Sequence, residues 1–515
     1  MSNDYSDIQI ESHMLKPWEE EESFNDVLYE WMSKAPWLLI SAALHFVIGV
    51  IVAAIPWSAF DQSPEQIIEA SVEQPPEEPI EEEEEEPEEI PEEETEEEPI
   101  LEDFEVSDHN ETDTDSEFES TEGDPTQNAD SPFENTNSNS LLGIGGGAGG
   151  KMGGRFGGGK NLRAGGKANQ AIKDGLEWLK NHQDEDGKWD ADEFFKHDPA
   201  GDQTEGIGDA NHDVGVTGLA LLAFLGDGHT MTKGTYSDVV TKGVKWLIQE
   251  QDRETGLFGQ QIGHAYMYDH AIATLAMCET YYIDRSTTLK MKAQKAINFI
   301  TRARNPYRVW RYEVPPDGSN DTSVTGWMIF ALKSAEEGGL KIDKEAYAAA
   351  IEWFDEMTDP GTGRVGYTET GSASSRVPGM NDQYPTEKGE ALTAVTLLCR
   401  FFLGQKPEDT DYMNKHADLL LKTLPDWQDD GLSNDMYYWY YGSYAMYQMG
   451  GDHWKKWNKA MKPAVLDSQR KDGSSKGSWD PIGPWGYSGG RVYSTATMVL
   501  CLEVYFRYAR VLGAR

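Results

Sequence analysis

The sequence predicts an all-α C-terminal domain, residues 168–515, in which six helix pairs close into a double ring. The main observation is a repeat: an amphipathic segment, an acidic glycine turn, an aromatic residue and then a more apolar segment. The first copy passes through Gln183, Gly187 and Trp189 to an apolar helix that begins near Val214. Units repeated at this spacing cannot bury their apolar faces alone, so neighbouring units must stack.

The later copies follow the same order with less regular turns. The second helix of each pair is apolar and carries small residues, which favours an inner position where helices crowd together. Examples of these small residues are Gly218, Ala271, Gly326, Ala391 and Ala496. We therefore expect the amphipathic helices outside and the apolar helices inside.

The turns resemble the QW motifs of the prenyltransferase and squalene–hopene cyclase repeat superfamily, whose domains are α/α toroids. The turns at Gln183, Gln251 and Gln469 match well, and the resemblance covers about residues 168–511. It implies a structural role for the motif, in which Gln ties off the outer helix and the aromatic residue stacks on it. The fold expected from this resemblance is an α/α toroid of six helix pairs.

The chemistry of that superfamily is not intact in this sequence. Its cyclases protonate a polyene with an Asp-x-Asp-Asp-Thr motif, but Asn320 stands where the proton donor would be, and an amide is not an acid. Its protein prenyltransferases hold zinc with an Asp, a Cys and a His, the His in an Asp-x-Tyr-His-Thr run, whereas the comparable residues 491–495 lack both Asp and His. The complement-type thioester motif is also missing. We expect no metal and no cofactor.

Acids, histidines and aromatic residues fall at the starts of the predicted inner helices, which gather at one mouth of a closed ring. We interpret them as an aromatic funnel that binds a ligand or peptide. Asp269 and His270 are a candidate hydrolytic pair, although adjacent helical residues point in different directions. The alternative is that the acids cap helix N-termini. The candidate binding residues are His212, Asp213, Asp269, His270, Trp310, Asp321, Trp327, Glu390, Trp439, Trp485 and Tyr487.

The sequence of the N-terminal part predicts a membrane anchor. Residues 1–35 form a polar tail, and residues 36–57 are an uncharged apolar stretch long enough to span a bilayer as one transmembrane helix. Trp37 and Trp57 bracket this stretch as interfacial aromatics. Lys16 and Lys34 precede it, which favours a cytoplasmic N-terminus.

A disordered spacer is predicted between the anchor and the ring. Residues 58–140 are rich in Glu and Pro, and residues 141–167 are rich in Gly. Too little apolar surface is present there to offset the entropy of ordering. The formal net charge of -47 makes a nucleic acid an unsuitable partner, because the acidic tract repels phosphate. The cysteines, Cys278, Cys399 and Cys501, are widely separated and each lies in an apolar run, which argues against a disulfide framework or a zinc site.

Ser41 and His45 share one face of the predicted membrane helix. Together with the Glu/Pro-rich spacer, they resemble the TonB energy-transducer family of the bacterial inner membrane. The resemblance implies a periplasmic C-terminal domain and coupling to an ExbB/ExbD-type proton-driven motor through His45. That family's small C-terminal domain is absent. The alternative is that His45 lies near the interface or supports self-association of the helix.

The leading hypothesis is a single-pass inner-membrane protein that carries a non-catalytic, ligand- or protein-binding toroid in the periplasm. A terpenoid cyclase or prenyltransferase-like enzyme that acts on an isoprenoid lipid is the alternative. Such an enzyme needs an apolar cavity with a proton donor or a metal. A passive cell-envelope scaffold is a third hypothesis.

Overall fold

The computed structural model describes residues 166–372 and 380–507, all within the second of two compact units, Asp103–Arg515. The predicted membrane helix with Ser41 and His45, the acidic spacer and most of the Gly-rich linker lie outside the described residues. Within the described ranges, no helix combines the length and the apolar character that a membrane crossing needs.

The described residues form twelve long helices and no β-strand, which confirms the all-α prediction. Outer and inner helices alternate along the chain, and the inner ones are buried over almost their whole length. The outer helices are α1 Gly166–Asn181, α3 Ser237–Glu250, α5 Thr287–Ala303, α7 Glu345–Met357, α9 Asp411–Leu420 and α11 Gly451–Leu466. The inner helices are α2 Asp213–Gly226, α4 Ala265–Asp284, α6 Thr322–Gly338, α8 Ala391–Phe402, α10 Met436–Met449 and α12 Gly486–Leu502.

The six pairs close into a ring. Each inner helix packs against the next one, from α2 to α12, and α12 packs back against α2. On the outside, α1 packs against α12 and α11, so the first and last pairs are joined. The apolar inner helices thereby bury their surface on several sides, as the absence of a polar face in their sequences requires.

The glutamines of the turns link neighbouring repeats. In the three well-matched copies, the side-chain amide donates to the glycine carbonyl of its own turn and to a carbonyl in the next outer helix. The acceptors are Gly187 and Val239 for Gln183, Gly256 and Lys292 for Gln251, and Gly477 and Ala171 for Gln469. The expectation that Gln ties off its own helix is therefore wrong, because its amide bridges to the following helix.

In the turns that carry tryptophan, the indole ties off the preceding outer helix instead. The indole N–H of Trp189 donates to Leu179 O at 2.7 Å, and that of Trp479 donates to Val465 O at 2.7 Å. These carbonyls lie at helix ends, where intrahelical partners are missing. Gly187 has φ 106°, and a Cβ at this position would overlap the backbone carbonyl of the adjacent outer helix, so the turn requires glycine.

The two faces of the ring differ. Connections from outer to inner helices are long and lie at the face where inner helices begin; we call this the long-connection face. Connections from inner to outer helices are shorter, down to residues 285–286 and residue 450. Gly166, where α1 begins, lies at the opposite face from the long connections. The long connections are residues 182–212, 251–264, 304–321, 358–390, 421–435 and 467–485.

The Gln469→Ala substitution tests whether the glutamine link closes the ring. Gln469 is buried and holds Ala171 O at 2.8 Å and Gly477 O at 2.9 Å. Its removal takes one donor away from each of these two carbonyls, so we expect the free energy of unfolding to fall by about 1–3 kcal/mol. Urea denaturation followed by tryptophan fluorescence measures this. The control is Gln170→Ala, which removes an exposed amide from α1; equal effects of the two substitutions would contradict the account.

Candidate functional site

A cavity of about 300 Å³ lies where the N-terminal turns of α2, α4, α6, α10 and α12 meet. Its walls are largely aromatic, with apolar side chains from α2 and α4 between the rings. The aromatic lining consists of His212, His264, Tyr268, Tyr312, Trp327, Tyr437, Trp485, Tyr487 and Tyr493. This size and composition are typical of ligand sites in proteins.

A carboxylate–histidine pair lies in the cavity wall. His212 Nδ1 is 3.0 Å from Asp269 Oδ1, and Asp269 is 4% exposed. The pair depends on Gly215 of α2, because a Cβ there would overlap the Asp269 carboxylate. The other ring nitrogen of His212, Nε2, forms no hydrogen bond with a described residue.

The electrostatics of this pair follow from its burial. Burial raises the pKa of Asp269, and the hydrogen bond from His212 opposes that shift. Burial alone would lower the pKa of His212, but the hydrogen bond and the charge of Asp269 outweigh it and raise the pKa above the ordinary value. The raised pKa of His212 favours a protonated imidazole, in which Nδ1 donates to Oδ1 of Asp269.

Five of the candidate binding residues lie together at the cavity. These are His212, Asp269, Trp327, Trp485 and Tyr487. Their role in binding stays a prediction. The proposed pairing of Asp269 with His270 is wrong, because the two adjacent side chains point in different directions and the partner of Asp269 is His212.

His270, Trp310 and Trp439 lie in the packed interior, outside the cavity lining. His270 accepts a hydrogen bond from Phe258 N at 3.1 Å on Nδ1, and its Nε2 lies 3.2 Å from the Ala296 carbonyl, to which it donates. Burial lowers the pKa of His270 to about 3. The indole of Trp310 donates to the end of α5, to Ile300 O at 2.8 Å, as Trp189 and Trp479 donate to the ends of their preceding helices. These side chains support the fold.

Asp213 and Glu390 form ion pairs outside the lining. Asp213 Oδ2 is 2.6 Å from Lys188 Nζ, and Arg364 forms a two-pronged contact with Glu390 at the start of α8. Asp213 also belongs to a group of carboxylates, with Asp190 and Asp192, whose oxygens lie within 4.8 Å of one another. Lys188 and Lys196 already bind carboxylates of this group, so its geometry is that of an ion-pair network.

Asp321 lies behind the cavity wall and contacts it through two phenols. Its Oδ1 caps α6 by accepting from Val324 N at 2.7 Å, while Oδ2 accepts from the Tyr367 hydroxyl at 3.3 Å. The Tyr367 hydroxyl is in turn hydrogen-bonded to that of Tyr312, which lines the cavity. Burial raises the pKa of Asp321 to about 7, although the backbone N–H of Val324 and the charge of Arg311 act in the opposite direction.

Several cavity residues were missed from the sequence, among them Tyr268, Ser323, Tyr437 and Tyr493. A signal for most of them exists. The cavity face of four of the five contributing helices repeats at i and i+4 within the first turns, the spacing that places side chains on one face. The pairs are Gly215 and Leu219, Tyr268 and Ile272, Ser323 and Trp327, and Gly489 and Tyr493.

No family model and no curated protein matches the chain. Among solved structures, the chain is similar to an alpha-1,6-mannanase of Salegentibacter sp. HEL1_6, at 12% identity and a TM-score of 0.45, covering 66% of this chain and 98% of that one. It is similar to a type II terpene cyclase from Scytonema at 15% identity and a TM-score of 0.40, covering 67% and 99%. An alpha-amylase from Clostridium perfringens has 10% identity and a TM-score of 0.41, with coverage of 65% and 97%. At these values the likeness carries no argument about function.

The substitution Asp269→Asn tests the electrostatics of the pair. With the negative charge removed, burial dominates, so we expect the pKa of His212 to fall below that of a free imidazole. Titration of the His212 ring resonances by NMR measures this value, with the signals assigned from a His212→Gln variant. His453, whose exposed partner is Asp418 on an outer helix, serves as the internal control. An unchanged pKa of His212 would show that Asp269 does not set its charge.

Proposed function

We propose that the toroid is a binding module that holds a small ligand, or a side chain of a partner, in its central aromatic cavity. The observation that carries this proposal is the cavity itself, at the starts of five inner helices of an otherwise closely packed ring. Protein interiors retain few voids larger than a water molecule. A space of this size with aromatic walls and a few convergent polar groups is the usual form of a ligand site.

The position of the cavity supports this proposal. It lies at the long-connection face, and binding residues in proteins lie disproportionately on connections that a rigid scaffold positions. Gly166, the first described residue, begins α1 at the opposite face of the ring.

A thermal-stability screen tests binding in the cavity. The variant Ile272→Trp places an indole in the cavity, whereas Met291→Trp adds the same group at an exposed position of α5. A ligand present at a hundred times its Kd stabilises the folded state by about 2.7 kcal/mol. We expect compounds from a panel of glycosides, isoprenoid alcohols, quaternary amines and short peptides to raise the Tm of the parent chain and of Met291→Trp.

The same compounds should leave the Tm of Ile272→Trp unchanged. A panel that stabilises Ile272→Trp as strongly as the parent chain would remove the cavity as the binding site. A panel in which no compound stabilises the parent chain would count against the proposal itself.

The second candidate function is an enzyme that acts on an isoprenoid, and one observation favours it. The raised pKa of Asp321 leaves this carboxyl partly protonated near neutral pH, and Tyr367 and Tyr312 connect it to the cavity. A protonated acid beside an apolar cavity is what proton-initiated cyclisation needs. Asp321→Asn keeps a side chain that can cap α6. If the parent chain converts geranylgeraniol to a cyclic isomer and this variant does not, the result favours the enzyme.

We also propose that residues 36–57 anchor the chain in the bacterial inner membrane with the toroid in the periplasm. His45, on the same helix face as Ser41, would couple the span to an ExbB/ExbD-type complex. A polar residue at the middle of a membrane helix is costly unless it faces protein or water, which supports a partner for His45.

Co-purification tests the coupling. We expect His45→Ala to reduce recovery of an ExbB-like complex with the tagged chain, because the polar contact inside the membrane is lost. The matched control is Val47→Ala, which changes an apolar residue of the same stretch. Full recovery of the complex with His45→Ala would contradict the coupling. The passive-scaffold hypothesis predicts full recovery and also predicts that substitutions in the cavity have no effect.

A further inference from the structure

We infer that the ligand of the cavity is neutral and carries hydroxyl groups on a compact apolar ring, as a pyranose sugar does. This inference rests on the proposed binding function and names its ligand class. It follows from the arrangement of aromatic faces around the cavity and of two polar atoms in its wall.

The aromatic faces form platforms. Trp327 and Tyr437 stack with ring centroids 6.4 Å apart and 28° between planes, and His264 stacks on Tyr312 at 4.3 Å and 4°. All four side chains line the cavity. Such platforms offer large, rigid apolar contact area with polar atoms at their edges. Aromatic platforms of this kind suit a compact ring that has apolar faces and a polar rim.

Two polar atoms in the cavity wall favour a ligand that carries hydroxyl groups. The Trp485 indole N–H is buried and has no hydrogen-bond partner among the described residues. His212 Nδ1 is held by Asp269, which leaves Nε2 as the atom that can meet a ligand. A hydroxyl group both donates and accepts hydrogen bonds, so a ligand with several hydroxyls can satisfy the indole and the imidazole together.

An entirely apolar ligand fits less well. It would cover His212 Nε2 without giving it a hydrogen bond and would leave the Trp485 N–H without a partner. A buried polar group without a partner opposes binding, and sites built around such groups reject ligands that lack the matching group. A long isoprenoid chain provides no such group along its length.

Charged ligands fit less well for electrostatic reasons. The pair of His212 and Asp269 is neutral as a whole when the imidazole is protonated, so it offers no net charge for an ammonium group. The same pair offers no net positive charge for an anion, and the nearby Asp213 is already paired with Lys188 at 2.6 Å. Burial of an uncompensated charge is costly. A neutral ligand meets neither penalty.

Fluorescence titration of the full chain tests the ligand class, because Trp327 and Trp485 line the cavity. The probes are methyl pyranosides of glucose, galactose, mannose and N-acetylglucosamine, with farnesol as the apolar probe and choline as the cationic probe. We expect saturable binding of at least one pyranoside and none of farnesol or choline. In Trp485→Phe and His212→Phe, which keep an aromatic ring, the affinity for that pyranoside should fall about tenfold or more.

Calorimetric titration repeats the measurement for each variant, since Trp485→Phe removes a fluorophore. The matched control is Trp427→Phe, at a tryptophan outside the cavity lining, which should bind as the parent chain does. Thermal denaturation shows that each variant compared is folded, and two independent variants keep the test decisive if one fails to fold. Binding of farnesol or choline without any pyranoside overturns the ligand class and leaves the proposed binding function standing. Binding of none of the three probe classes overturns the ligand class and counts against the proposed function as well.

Discussion

Ring closure by the turn glutamines is the constraint on which the rest of the structure depends. The inner helices are apolar on all sides, so each is stable only with neighbours on both flanks and an outer helix behind it. The Gln469 amide, bound to Ala171 O at 2.8 Å, extends to the last and first repeats the link that Gln183 and Gln251 form between consecutive ones. Closure leaves no terminal repeat with an uncovered apolar face.

The site is a consequence of closure. Once the inner helices form a ring, their N-terminal turns converge at one face, and small residues such as Gly215 let α2 and α4 approach closely there. The acids at these helix starts then divide into three groups. Asp321 and Asp435 cap their own helices through backbone N–H groups. Asp213 and Glu390 form ion pairs outside the cavity, whereas Asp269 lies within α4 and holds a histidine at the cavity.

The ring was predictable because its signal is local and repeated. Gln183, Gly187 and Trp189 lie within one turn, and copies of that turn recur along the chain. Trp310 was misassigned to the mouth although its position after an outer helix matches Trp189 and Trp479, so the repeat itself contained the correct answer. The link that the glutamines make between repeats was not predictable, because one of the two acceptors of each glutamine lies in the next outer helix.

The cavity was predictable only in outline. Helix starts indicate the correct face, but the pairing of His212 with Asp269 joins residues far apart in sequence and depends on the angle at which α2 and α4 pack. Neither the pairing nor the packing angle can be inferred from the spacing of residues in the sequence. Tyr268 was missed because aromatic residues in apolar helices are usually core, and only its i, i+4 spacing to Ile272 distinguishes it from a core residue.

Methyl NMR of the full chain tests the central claim most directly. Val216, Leu219 and Ile272 line the cavity with aliphatic side chains, whereas Leu340 lies in the connection after α6, at the opposite face. With Ile, Leu and Val methyls labelled, addition of methyl pyranosides, farnesol or choline should shift the methyl signals of the first three residues and leave Leu340 unchanged. Shifts confined to residues outside the cavity, or no saturable shift with any of these compounds, would contradict the account.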